Sequence, residues 1–173
     1  MMKDFNYKIC LIGMPGSGKT TLGKEIARVF DYEFIDMDSL IKKETGLKIS
    51  QIFSNKGEEY FRSIETSILE KIILNDKKLI ISTGGGIVLR NQKILKKTYN
   101  IYLECNINTL VKRLSSSKER PLIGDNLVKN VNQLLIEREI LYKTISNAIV
   151  DSNKTKKNII NQIQEIITHE NNK

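Results

Sequence analysis

The 173-residue chain has no tryptophan and one histidine, His169, which sits in the C-terminal tail and is assigned no chemistry. Its two cysteines, Cys10 and Cys105, lie inside separate apolar runs and form neither a metal-ligand spacing nor a disulfide framework, which points to a reducing, cytoplasmic setting. No stretch approaches the roughly 20 consecutive apolar residues that cross a bilayer, so no membrane role is expected. The first residues carry Asp4 and no apolar core segment, so a signal peptide is not expected either. Aromatic residues make up 6% of the chain, too few for a row of base-stacking platforms, and no lysine or arginine block is long. The net charge of +8 is therefore not read as a nucleic-acid interface, although a positive field helps to attract small anions. Of the 28 basic residues 22 are lysine and six arginine, so each arginine position is worth inspecting for a need that lysine does not meet.

The remainder is an ordinary globular composition, 40% hydrophobic and 28% charged, with no internal repeat or linker; residues 1–173 are read as a single domain and expected to act as a monomer. Short apolar runs at Tyr7–Gly13, Glu33–Asp36, Lys78–Thr83, Asn100–Cys105 and Ala148–Val150 predict strands, and their continuous hydrophobicity suits a sheet covered on both faces. Helical patterns fill the gaps: Gly18–Phe30, Asp38–Thr45, Ile49–Ser54, Glu58–Leu74, Arg90–Lys97, Ile107–Leu114, Leu127–Ile145 and Lys156–Ile167, with a frayed tail expected after Thr168. Strand–helix alternation of this kind predicts a three-layer α/β fold around a largely parallel sheet. The polar, Pro- and Gly-punctuated segment Ser115–Asn126 reads as a lid-like loop.

Gly13-Met14-Pro15-Gly16-Ser17-Gly18-Lys19-Thr20 fits G-x-x-x-x-G-K-[ST] between an apolar strand and a helix. Its backbone N–H groups form a nest for phosphate oxygens, Lys19 reaches the β- and γ-phosphates, and the Thr20 hydroxyl ligates Mg²⁺. With Thr21 following, this predicts a site for a nucleoside triphosphate. Asn75-Asp76-Lys77-Lys78 is not the guanine-reading N-K-x-D.

The acceptor must be read from other residues. Asp36 and Asp38 close the second strand, where residues i and i+2 point the same way; one carboxylate suits hydrated Mg²⁺ and the other a hydroxyl proton, although Asp38 alone also suits a helix N-cap. Arg62 stands between Glu58 and Glu65 at helical spacing, either as an ion-pair ladder or as an anion contact. Thr83-Gly84-Gly85-Gly86 follows a strand, and three consecutive glycines favour close backbone approach to a ligand. Arg138 continues the 3-4 spacing of Leu127, Val131, Leu134, Leu141 and Ile145, so it needs an anionic partner, a bound carboxylate or a distant acid, because Glu137 and Glu139 face elsewhere. Arg113 stands just before the loop and Arg120 within it, where an arginine can meet the transferred phosphate.

Taken with GMPGSGKT at Gly13–Thr20, the motifs DMD at Asp36–Asp38, FRSIE at Phe61–Glu65, GGG at Gly84–Gly86, RPL at Arg120–Leu122 and REILY at Arg138–Tyr142 make the chain resemble a shikimate kinase over nearly its whole length. The resemblance implies a nucleoside-monophosphate-kinase-like P-loop fold with five parallel strands in the order 2-3-1-4-5. It implies a transferase, a kinase that uses ATP and Mg²⁺ to phosphorylate the 3-hydroxyl of shikimate in the shikimate pathway of aromatic amino acid biosynthesis. It implies a substrate region over about residues 36–65, shikimate contacts at Asp38, Arg62, Gly84, Gly85, Gly86 and Arg138, magnesium-linked Thr20 and Asp36, a lid Arg120 over the phosphates, and Arg113, Asn153 and Lys154 at the adenine. Lys19, Asp38 and Arg120 are the implied catalytic residues. The segment Asp151-Ser152-Asn153-Lys154 departs from the family pattern, with Ser in place of the common Thr and no Pro after it. The readings that compete are another small-molecule P-loop kinase, acting on gluconate or a nucleoside monophosphate, and a catalytically silent ATP-binding module.

Overall fold

A computed structural model describes residues 8–116 and 126–171; Tyr7, Arg120 and most of the expected lid lie outside that range. Five strands, β1 (Lys8–Ile12), β2 (Glu33–Asp36), β3 (Leu79–Ser82), β4 (Tyr99–Glu104) and β5 (Ala148–Asp151), form one sheet in the order β2-β3-β1-β4-β5. Every neighbouring pair runs parallel, with Leu11 opposite Ser82 and Ile101, and Asp36 opposite Ser82. The helices are α1 (Lys19–Phe30), α2 (Met37–Thr45), α3 (Ile49–Ile73), α4 (Gln92–Leu95), α5 (Ile107–Ser115), α6 (Leu127–Ile145) and α7 (Lys156–Asn171).

The continuous apolar strands are explained by two cores. Ile9 and Leu11 of β1 turn toward α1 and α7, where Leu22, Ile26, Ile159 and Ile163 meet Ile80 and Ile101. Cys10 and Ile12 turn the other way, onto a larger core that includes Ile41 of α2, Ile68 and Leu69 of α3, Leu110 of α5, and Val131 and Tyr142 of α6. A strand clamped between two helical layers has no solvent face to make polar, so the alternation expected of a half-exposed strand is absent.

The helix expected at Ile49–Ser54 and the one at Glu58–Leu74 meet in α3, whose continuity breaks at Gly57 (φ 80°, ψ 171°). This backbone region is open almost solely to glycine, so the break falls where a side chain is lacking. The helix expected over Arg90–Lys97 is shorter, Gln92–Leu95, and a single 3-10 turn at Ile87–Leu89 precedes it. The fraying expected after Thr168 is not seen, since α7 runs to Asn171.

Candidate active site

All five strands point their C-terminal ends at one edge, where an open α/β sheet binds its ligands. The P-loop leaves β1 there and turns into α1 at Lys19. The Lys19 ammonium is drawn over its own loop, donating to the carbonyls of Gly13 and Met14 at 2.8 Å each, so it is held at the mouth of the nest.

Thr20 donates its hydroxyl to Asp36 Oδ2 at 2.7 Å and stands 3.2 Å from the Ser82 hydroxyl. The other Asp36 oxygen accepts the Ser39 N–H at 2.9 Å and caps α2. Here the structure corrects the sequence reading: the strand ends at Asp36, which is the cap, and Asp38 belongs to the first turn of α2, so the two carboxylates are not paired by strand alternation. They converge because the helix starts immediately, and both border one open cleft of about 560 Å³ with Gly16–Leu22, Ser82, Thr83, Arg113, Ser152 and Lys154. Burial pushes the Asp36 carboxyl up, but the hydrogen bonds from Thr20, Ser39 and Ser82 outweigh it and hold the group below the ordinary carboxylate range. The sequence reading gave no site role to Ser82 or to Thr83, which it placed at the end of the strand before the glycines; the available signal was a polar pair ending the apolar run Leu79–Ile81.

At the other end of the cleft Arg113 of α5 donates to the Ser152 carbonyl at 2.8 Å, to the Ser152 hydroxyl at 3.2 Å and to the Gly16 carbonyl at 3.3 Å. Ser152 in turn donates to the Ser17 carbonyl at 2.6 Å, so Arg113 and Ser152 together brace the P-loop. The Asn153 side chain is engaged with the Asn106 N–H and with Asp151, while its neighbours Ser152 and Lys154 line the cleft.

A second polar cluster lies beside Asp38. Arg62 of α3 is buried and donates to Glu58 from Nε at 3.1 Å and Nη2 at 3.0 Å, and to Glu65 from Nη1 at 2.8 Å. The ion-pair ladder is thus formed, yet a guanidinium has five N–H groups and one on each terminal nitrogen stays uncommitted by these bonds. Glu65 is fully buried, its Oε1 accepts no hydrogen bond among the described residues, and desolvation raises its pKa against the opposing pull of Arg62. Asp38 and Arg138 also act electrostatically on Glu65, which places α2, α3 and α6 around one point. The Arg138 Nε is buried and bonds to nothing among the described residues, while Glu137 and Glu139 pair instead with Gln133 and Lys143.

The Gly84–Gly86 turn closes this cluster, and each glycine makes room for a neighbouring side chain. A Cβ on Gly84 would stand 2.7 Å from Glu65 Oε1 and 3.4 Å from Asp38 Oδ1. One on Gly85 would meet Pro15 Cδ at 2.7 Å, and one on Gly86 would overlap the Arg62 guanidinium. Asp38 consequently belongs to both sites: it borders the P-loop cleft and the arginine–glutamate cluster.

A P-loop ending in Lys-Thr, a carboxylate beside the threonine, and an arginine–glutamate cluster that meets the same cleft at Asp38 define a P-loop kinase of small molecules. The sequence profile of the family described as shikimate kinase matches residues 15–168. A shikimate kinase of Sulfurihydrogenibium sp. is 38% identical over 158 residues, 90% of this chain and 94% of that one. A shikimate kinase of Francisella tularensis subsp. holarctica is 37% identical over 167 residues, 94% and 95% of the two chains. Among solved structures, a shikimate kinase from Acinetobacter baumannii in complex with shikimate superposes with a TM-score of 0.90 at 30% identity, covering 97% of this chain and 96% of that one. The chain belongs to the shikimate kinase family.

Proposed function

We propose that this chain transfers the γ-phosphoryl group of ATP to the 3-hydroxyl of shikimate, giving shikimate 3-phosphate and ADP on the route to the aromatic amino acids. Family membership favours shikimate over a gluconate or nucleotide acceptor. In this reading Gly13–Thr21 hold the triphosphate, and Lys19 exchanges its carbonyl partners for β- and γ-phosphate oxygens. The hydroxyl of Thr20 and the carboxylate of Asp36 are hard oxygen donors of the kind Mg²⁺ takes together with water and phosphate, and the ion, when bound, supplies positive charge to the phosphates. Arg113, Asn153 and Lys154 frame the base, and Arg120 completes the phosphate site from outside the described residues.

Arg62 and Arg138 take the substrate carboxylate in bidentate pairs, against the backbone of Gly84, Gly85 and Gly86. That grip orients the hydroxyl in line with the γ-phosphorus, which is most of what phosphoryl transfer demands of a protein. Asp38 accepts the hydroxyl proton. The observation that carries the reading is the position of Asp38 itself, on the P-loop cleft on one side and, on the other, at Gly84 with Glu65, the carboxylate on which Arg62 and Arg138 also act. Asp38→Asn is expected to lower kcat by about 10²–10⁴ with shikimate binding retained, the span of a lost general base; unchanged turnover would remove Asp38 from the chemistry. In this reading the enzyme acts as a monomer, and in the cytoplasm, a reducing setting in keeping with its two free thiols.

A further inference from the structure

We propose that Tyr142 is a positioning residue, whose hydroxyl pins the Gly84–Gly86 turn and the Arg138 helix against the P-loop so that the acceptor site is built in register with the nucleotide site. This rests on the function proposed above, since it assigns the residues that are positioned. Tyr142 lies on α6 one helical turn after Arg138 and is fully buried. Its ring stacks on Tyr102 of β4, centroids 5.0 Å apart and planes inclined by 20°, which fixes where the hydroxyl goes. The hydroxyl donates to the carbonyl of Gly85 and lies 4.0 Å from the Met14 sulfur in the P-loop.

Gly85 is itself pressed onto the P-loop, because an added Cβ would stand 2.7 Å from Pro15 Cδ and 3.0 Å from its Cγ. P-loop, glycine turn and α6 therefore meet around the Tyr142–Gly85 hydrogen bond, with Met14 beside the hydroxyl and Pro15 filling the space next to Gly85. A phenylalanine would fill the same core space without the cost of burying a hydroxyl, so the oxygen is useful only for the bond it makes. The neighbours of Gly85 show what depends on that bond: Gly84 abuts Glu65 and Asp38, and Gly86 abuts Arg62. On the helix side, Arg138 lies against the Tyr142 phenol, both as a charge and as a side-chain hydrogen-bond partner of its hydroxyl. The tyrosine thus fixes together the backbone and the arginine that are to hold the substrate, and touches neither reacting atom.

Tyr142→Phe keeps the stacked ring and deletes the bond. Steady-state kinetics should show the shikimate KM raised about three- to tenfold, the range one neutral hydrogen bond commands, with the ATP KM within about twofold of wild type. Tyr102→Phe, which alters the same aromatic pair away from Gly85, should leave both constants unchanged. An unchanged shikimate KM in Tyr142→Phe, equal rises in both constants, or the same shift in Tyr102→Phe would overturn the proposal as a merely structural effect. Should Tyr142→Phe not accumulate as folded protein, Gly85→Ala disturbs the same junction from the other side; there the shikimate KM must rise more than the ATP KM, and the reverse order overturns the proposal. A wild-type enzyme that fails to turn over shikimate would overturn the functional reading and this inference with it, whereas normal wild-type turnover beside an unaltered Tyr142→Phe overturns this inference alone.

Discussion

Arg138 carries a charge on a helix face that otherwise buries Val131, Tyr142 and Ile145, and its Nε finds no acceptor among the described residues. A buried N–H of this kind is costly until an anion supplies the missing bond. Arg138→Lys should therefore raise the shikimate KM sharply and leave ATP affinity close to normal, because an ammonium on a flexible stem does not reproduce the planar fork. Equal losses for both substrates would make the arginine structural. Asp36 gives a stability prediction with a defined sign. Its folded-state pKa lies below the ordinary value, so its contribution is fully present above the usual carboxylate pKa of about 3.9 and is lost as pH falls through the lower folded value. Asp36→Ala should cost about 0.5–2 kcal/mol at neutral pH through the lost cap, and urea titrations should show the gap closing in acid; a gap independent of pH would contradict this. Glu65 has the opposite sign: its raised pKa means that stability is greatest below the usual carboxylate value and declines as pH rises through the folded one.

At the scale of elements, the break in α3 aims the segment that carries Glu58, Arg62 and Glu65. Gly57 has φ 80° and ψ 171°, and no atom stands within 4 Å of an added Cβ, so Gly57→Ala meets a purely conformational cost. A loss of about 1–3 kcal/mol is expected in chemical unfolding, and a neutral outcome would show that α3 straightens without penalty. The same helix illustrates what the sequence discloses. Separate apolar patterns before Ser54 and after Glu58 located both halves of α3, and uninterrupted apolar runs located strands covered on two sides, because both signals are local. The P-loop was legible for the same reason, its residues being contiguous. Asp38 was misjudged because one residue decides whether a carboxylate ends a strand or sits inside the next helix. The role of Ser82 beside Asp36 and the Tyr142–Gly85 bond were not legible, because they come from strand register and from a partner 57 residues away. The glycine triplet was recognised as a place of close approach, but only the fold shows that Glu65, Pro15 and Arg62 occupy the space.

For the molecule as a whole, the net charge is +8 and both proposed ligands, a carboxylate and a polyphosphate, are anions. Such a field raises encounter rates and is screened over about 10 Å at 0.1 M salt. The kcat/KM for shikimate should accordingly fall as salt rises while kcat holds; a salt-independent kcat/KM would show that local groups alone guide capture. The two-site architecture makes a stronger demand, since a triphosphate nest and an arginine–glutamate cluster joined through Asp38 are useful only if transfer needs both ligands. Release of ADP, followed with and without shikimate and again with gluconate or a nucleoside monophosphate, tests this most directly. The account predicts ADP release that depends on shikimate and matches it mole for mole, with little turnover of the other acceptors. ADP release at the same rate without shikimate, or driven by a nucleotide acceptor instead, would contradict it.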